Sequence, residues 1–170
     1  MLIFLVLRVT HVLLAALWLG AVGFMVLFVM SAMKETGLAA GPMMDTIASR
    51  GLNAFMGALG GITVLTGFYL YWRVTGGFDP ALSASRGAMV FGTGGVAGLL
   101  SVIIGGAVVG RSTAKMGALG GKAMALPEGP ERAALMNQST AARDRGIAGA
   151  RIVLVLQTVA LACMAIGHYV

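Results

Sequence analysis

Four long apolar stretches constrain this chain more than any other feature of its sequence. They cover about residues 2–33, 52–72, 87–110 and 152–170, and none of them contains an aspartate or a glutamate. A helix needs roughly 20 apolar residues to cross the hydrocarbon core of a bilayer. Only 11% of the chain is charged, whereas soluble domains carry about 25% charged residues. We therefore predict an integral membrane protein with four spans.

The apolar stretches are continuous, which favours helices over strands. The run from Val12 to Met30, for example, contains no polar residue, whereas the strands of membrane barrels alternate apolar and polar residues. No linker or low-complexity segment divides the chain. The sequence thus predicts an all-α fold, an up-and-down four-helix bundle forming a single membrane domain over residues 1–170. The longest connection is 111–151.

The positive charge is unevenly distributed along this topology. The chain has a net charge of +6, and nine of its twelve Lys and Arg residues fall in or beside the 34–51 and 111–151 connections. Basic residues gather on the cytoplasmic side of membrane proteins. We therefore expect the connection 111–151 to be cytoplasmic and both termini to lie outside the inner membrane of a bacterium. On this interpretation the basic residues determine the orientation of the chain in the lipid bilayer. No nucleic acid is expected as a partner.

The chain has two histidines, His11 and His168, and both fall in predicted spans. Ionisable residues within a membrane are rare and by default indicate a functional site. Because the first and last spans carry them, both histidines are expected at the same face of the membrane. Two imidazoles can hold one metal centre, and haem iron is the obvious candidate. The single cysteine, Cys163, offers no Cys-x-x-Cys-His attachment motif, so the expected cofactor is non-covalent haem b.

Further residues fit such a site. Arg8, His11 and Trp18 share one helical face, which would place a cation for the haem propionates and an aromatic wall beside the ligand. Arg73 ends the second span and Arg86 opens the third, both on the outer side. The predicted site therefore consists of His11 and His168 as metal ligands, and it is lined by Arg8, Trp18, Arg73 and Arg86.

Each of these features also has a structural interpretation. His11 can hydrogen bond to a neighbouring helix, Arg8 can extend to the membrane surface, and Trp18 can lie at the interface. Polar residues inside the spans suit interhelical hydrogen bonds; among them are Asn53, Thr63, Thr66, Thr93, Ser101, Gln157 and Thr158. Ser83 or Ser85 is placed to cap the third helix.

Glycines recur at a spacing that allows close helix packing. Gly57 and Gly61 lie in the second span, and the third span contains the pairs 94/98 and 106/110. Small residues four apart let helix backbones approach closely in lipid. The spacing therefore predicts helix packing, and space for a flat cofactor is the alternative.

Residues 8–20, with His11 followed seven residues later by Trp18 and then by Leu19 and Gly20, resemble the opening helix of copper-resistance CopD-like membrane proteins. The same stretch is similar to the first helix of HemJ-type protoporphyrinogen oxidases, and residues 65–72 resemble the end of the second helix in that group. The resemblance implies a four-helix haem-binding scaffold with His11 as a haem ligand. HemJ-type enzymes have a functional lysine near the start of the third helix, where this chain has Arg86, so the sequence leaves open whether it is an enzyme.

The leading hypothesis is a membrane b-type haem protein with an electron-transfer or redox role. One alternative is a cofactor-free accessory subunit of a larger membrane complex, with small-residue faces packed against other subunits or a second copy. The second alternative is a copper-handling protein, because methionines near the inner side offer soft ligands for Cu(I). These are Met30, Met33, Met43 and Met44.

Overall fold

The computed structural model describes residues 1–36 and 41–170, and all regular structure in these ranges is helical. Four helices are long and apolar enough to cross a membrane: α1 (Leu2–Thr36), α3 (Leu52–Val74), α5 (Arg86–Met124) and α6 (Pro130–Ile166). Two short helices, α2 (Gly41–Ser49) and α4 (Pro80–Ser83), lie in the connections. The all-α prediction is confirmed for the described residues, and so is the presence of four helices that suit a membrane.

The helices extend beyond the predicted spans. α5 continues past Gly110 to Met124, and α6 begins at Pro130, so the connection 111–151 is largely a helical hairpin. Pro130 suits the first position of α6 because a helix leaves that N–H unbonded. At its other end α6 stops at Ile166, so His168 lies in a turn beyond the helix rather than within a span.

The connection between α3 and α5 is a tight, well-capped turn. Gly76 and Gly77 have φ angles of 62° and 84°, a left-handed conformation that glycine adopts without steric cost. The Asp79 carboxylate accepts hydrogen bonds from two backbone N–H groups at the start of α4. The Ser85 hydroxyl caps α5, which confirms the prediction that Ser83 or Ser85 does so.

The long helices pack in antiparallel pairs through a few glycines. On α3, a Cβ added at Gly60 would lie 2.9 Å from Cζ2 of Trp18, and one added at Gly67 would lie 2.7 Å from Cε1 of His11. On α5, a Cβ at Gly94 would lie 2.9 Å from that of Cys163 on α6. Such distances are too short for a real side chain, so glycine at these positions lets neighbouring helices approach.

The predicted glycine pairs are only partly used. Gly94 packs against α6, but a Cβ at Gly57, Gly61, Gly98 or Gly106 would meet no atom within 4 Å in the described structure. Helix packing therefore depends on which face of each helix its neighbour covers, and the four-residue spacing alone does not identify the contact. The open glycines lie on the outside of the bundle.

Candidate functional site

His11 is held in a notch in α3. Its ring lies against the backbone at Gly67, where an added Cβ would come within 3.3 Å of Nδ1 and 3.6 Å of Nε2. Trp18, seven residues later on α1, fills the corresponding notch at Gly60, seven residues earlier on α3. Because the two helices are antiparallel and the spacing on each is seven residues, both side chains of α1 contact α3. This confirms that His11 and Trp18 share one face of α1.

The hydrogen bonds of His11 define which of its nitrogens carries the proton. Nδ1 lies 2.9 Å from the Thr63 carbonyl oxygen and 3.1 Å from Thr66 Oγ1. A carbonyl oxygen only accepts hydrogen bonds, so Nδ1 carries the hydrogen and donates it. The Thr66 hydroxyl donates to the Ile62 carbonyl oxygen at 2.7 Å and is therefore free to accept from Nδ1. In the neutral ring Nε2 then keeps its lone pair, and it makes no hydrogen bond within the described residues.

His168 is held by two other helices. Arg8 Nη2 donates to His168 Nε2 at 2.9 Å, and the acceptor role of Nε2 follows because a guanidinium has only donors. The ring also lies edge-on to Phe91 of α5, with centroids 5.0 Å apart. The preceding residue, Gly167, is buried against the same Phe91 ring. The terminal turn is therefore fixed to both α1 and α5.

Arg8 connects the two histidines. It lies one helical turn before His11 on α1 and bonds to His168, so both histidines lie at one end of the bundle, here called the histidine end. The two imidazoles have different partners, however. The Nε2 atom of His168 is bonded to Arg8, and its ligation of a metal would require that hydrogen bond to break.

The three other predicted site residues lie in different surroundings. Trp18 is only 7% exposed and packs inside the bundle, where Val102 of α5 also approaches Gly60. It is therefore an interior residue of the bundle. Arg73 and Arg86 are exposed and their side chains form no hydrogen bond or ion pair within the described ranges. Arg86 is near the histidine end, since its neighbour Gly87 lies against the Gly167 carbonyl, and Arg73 lies in the last turn of α3, six residues after Gly67, which contacts His11.

The sequence predicted some polar contacts and missed others. Thr66 makes the expected interhelical hydrogen bond, with His11. Gln157 does not: it is 5% exposed, and both atoms of its amide lack a partner in the part of the chain that the structure describes. Phe91 and Gly67 were not predicted as site residues. The matching seven-residue intervals on α1 and α3 are a signal that could have identified Gly67, whereas nothing local marks Phe91.

The available donors restrict the kind of metal centre. Residues 1–36 and 41–170 contain no group of three or more His, Cys, Asp or Glu side chains that could hold an ion. A bare ion such as zinc needs three or four protein ligands, whereas a porphyrin brings four nitrogens and needs one or two axial ligands from the protein. The described residues of these types therefore do not form a site for a bare ion of this kind.

Neither of two open grooves in the described structure reaches the histidines. One is lined by residues of α6 from Arg151 to Leu156, and the other lies between α5 and α6 beside Arg111. Comparisons with family models, with characterised proteins and with solved structures find no match to this chain.

Proposed function

We propose that this chain is a membrane protein that binds b-type haem at the histidine end, with Nε2 of His11 as an iron ligand. The observation that supports this is the hydrogen bond from His11 Nδ1 to the Thr63 carbonyl oxygen, 2.9 Å long. Metal-binding histidines almost always donate their other ring N–H to a carbonyl or carboxylate, which fixes the tautomer and the orientation of the ring. His11 has this arrangement through its bond to the Thr63 carbonyl oxygen.

The other charged residues at the histidine end suit the acidic edge of the same cofactor. Arg73 and Arg86 have no anionic partner among the described residues, and Arg8 is bonded only to His168. Arg8 would pair with a propionate and, no longer bonded to His168, would leave Nε2 of that histidine able to hold the iron. Haem supplies one-electron redox chemistry, and the protein sets its potential through the axial ligands and their burial. The proposed role is therefore electron transfer or a related redox function.

We place the histidine end outside the cytoplasm, in a bacterial inner membrane. The cations that follow the third apolar stretch and precede the fourth lie at the opposite end of the bundle, here called the basic end. They include Arg111, Lys115, Arg145 and Arg151. Positive residues are retained on the cytoplasmic side, so both termini would lie outside.

A second candidate is a cofactor-free accessory subunit of a larger membrane complex. Two observations favour it. His11 fills the notch at Gly67 just as Trp18 fills the one at Gly60, so the imidazole also acts as a structural contact between α1 and α3. Gly57 and Gly61 are open on the outer face of α3, where a partner helix could approach closely.

Visible absorption spectra of the detergent-purified full chain, supplied with haem, test the proposal. We expect a Soret band that sharpens on dithionite reduction, with resolved α and β bands. His11→Ala should remove most of the bound haem, and added imidazole should restore it by replacing the lost ligand. His168→Ala is the matched control: it should retain haem but convert a low-spin spectrum to a high-spin one. Protein that stays colourless after haem is supplied would favour the accessory-subunit function, and normal haem content in His11→Ala would refute ligation by His11.

A further inference from the structure

We propose that the groove between α5 and α6 at the basic end binds the phosphate headgroup of an anionic phospholipid. The groove has a volume of about 420 Å³. Its lining combines three cations and polar groups with small apolar residues: Ala107, Val108, Arg111, Ser112, Lys115, Gln138, Ala141, Ala142 and Arg145. This inference is independent of the function proposed for the histidine end.

The cations of the groove converge without a compensating acid. Arg111 and Lys115 are four residues apart and share one face of α5, and Arg145 faces them from α6. Among the described residues, no Asp or Glu lines the groove, and the one ion pair joins Arg143 to Asp144 outside it. Like charges four residues apart on a helix destabilise it. A bound anion would remove this repulsion.

The shape of the groove favours a lipid over a free anion. It is lined by Ala107 and Val108, close to the end of the apolar stretch of α5 at Gly110, and the cations begin at the next residue, Arg111. This is the level at which phospholipid headgroups lie. Basic pockets between membrane helices on the cytoplasmic side are known sites for anionic lipids.

A second groove provides a path for the acyl chain. It has a volume of about 280 Å³ and lies on α6 toward the middle of the bundle, lined by Arg151, Ile152, Val155 and Leu156. Ile152 follows Arg145 by seven residues and therefore shares its helical face. A lipid whose phosphate binds Arg145 can thus extend its chain toward an apolar surface on the same face of α6. A free phosphate would make no use of this surface.

Native mass spectrometry of the full chain in a neutral detergent, with phosphatidylglycerol or phosphatidylcholine added, tests the proposal. The groove variant is Arg111→Gln, Lys115→Gln and Arg145→Gln. The control variant removes the same charge elsewhere, through Lys34→Gln, Arg50→Gln and Lys122→Gln, all at exposed positions. We expect the groove variant to bind phosphatidylglycerol about a hundredfold more weakly, since each cation near an anionic lipid surface contributes about fivefold. The control variant should keep nearly all of its affinity.

The remaining outcomes separate specific lipid binding from its alternatives. An equal loss in both variants, or equal binding of phosphatidylcholine, would overturn the site in favour of general surface charge. Inorganic phosphate should not displace the lipid; displacement that is lost in the groove variant would identify a soluble phosphate ligand and overturn the choice of a lipid. If the triple variant does not fold, Arg145→Gln alone should lose about fivefold, and unchanged affinity there would also refute the proposal.

Discussion

Gly67→Ala tests the contact on which the histidine end is built. The added methyl group would lie 2.7 Å from Cε1 and 3.3 Å from Nδ1 of the His11 ring. Because the atoms that the methyl group meets all belong to the His11 side chain, we expect the ring to move away. That movement lengthens the bonds from Nδ1 to the Thr63 carbonyl and the Thr66 hydroxyl, now 2.9 and 3.1 Å. One methyl group therefore perturbs both the packing and the orientation of the imidazole.

The expected cost follows from these two effects. Overpacking a well-packed interior typically costs about 1–3 kcal/mol. An interhelical hydrogen bond in a membrane protein contributes about 0.6 kcal/mol on average, and up to about 1.7. Alanine also raises helix propensity over glycine by up to about 1 kcal/mol, but Gly61→Ala on the same helix has this gain too, with no atom within 4 Å of its added Cβ. We expect the free energy of unfolding of Gly67→Ala to be about 2–4 kcal/mol below that of Gly61→Ala.

Reversible unfolding of the detergent-solubilised protein in sodium dodecyl sulfate, followed by circular dichroism, measures this difference. Repeating both glycine substitutions in a His11→Ala background completes a double-mutant cycle. Without the imidazole, the added methyl group meets open space and the difference between the two variants should nearly vanish. Equal stability of Gly67→Ala and Gly61→Ala with His11 present would refute the notch, and so would a difference that persists without His11.

Three further substitutions test neighbouring contacts. Gly60→Ala, whose Cβ would lie 2.9 Å from Cζ2 of Trp18, should lower the free energy of unfolding by about 1–3 kcal/mol and shift the tryptophan fluorescence. Thr66→Val removes the hydroxyl 3.1 Å from the His11 ring and should cost about 0.6 kcal/mol in the same unfolding assay. Gly94→Ala, whose Cβ would lie 2.9 Å from that of Cys163, should separate α5 from α6 and speed maleimide labelling of the cysteine.

Each of these substitutions has a control in the same helix or of the same kind. Gly57→Ala and Gly98→Ala add a Cβ that meets no atom within 4 Å of the described structure, and should leave fluorescence and labelling unchanged. Thr93→Val removes a hydroxyl that bonds only within its own helix, to the Met89 carbonyl oxygen. A glycine variant that behaves like its control would show that the corresponding close approach does not form. A Thr66→Val protein as stable as Thr93→Val would refute the bond to His11.

Much of the fold follows from local properties of the sequence. Continuous apolar stretches predict the four long helices, and the spacing of His11 and Trp18 predicts that both lie on one face of α1. The helix ends are less well predicted. Hydropathy indicates where the apolar stretch ends, whereas the helix ends where its backbone hydrogen bonding stops. α5 and α6 accordingly continue beyond their apolar stretches, to Met124 and from Pro130.

The partners of the site residues depend on contacts between distant parts of the chain. Arg8 and His168 are separated by 160 positions, and no local pattern indicates that the guanidinium bonds the imidazole. Similarly, glycine spacing identifies helices that can pack closely, but Gly67 and Gly61 differ only in which face a neighbour covers. Gln157 shows the same limit, since its place in a span predicted an interhelical hydrogen bond, and its amide has no partner among the described residues.

The two proposed sites should behave independently because α5 separates them. Its residues Arg86 and Arg111 mark the histidine end and the basic end, and a helix of that length spans about 38 Å. Perturbations at sites more than about 10 Å apart usually add without interaction. The groove variant should therefore leave the haem spectrum unchanged, and His11→Ala should leave phosphatidylglycerol binding unchanged. Loss of haem in the groove variant would instead mean that lipid bound between α5 and α6 holds the bundle in the arrangement that presents His11.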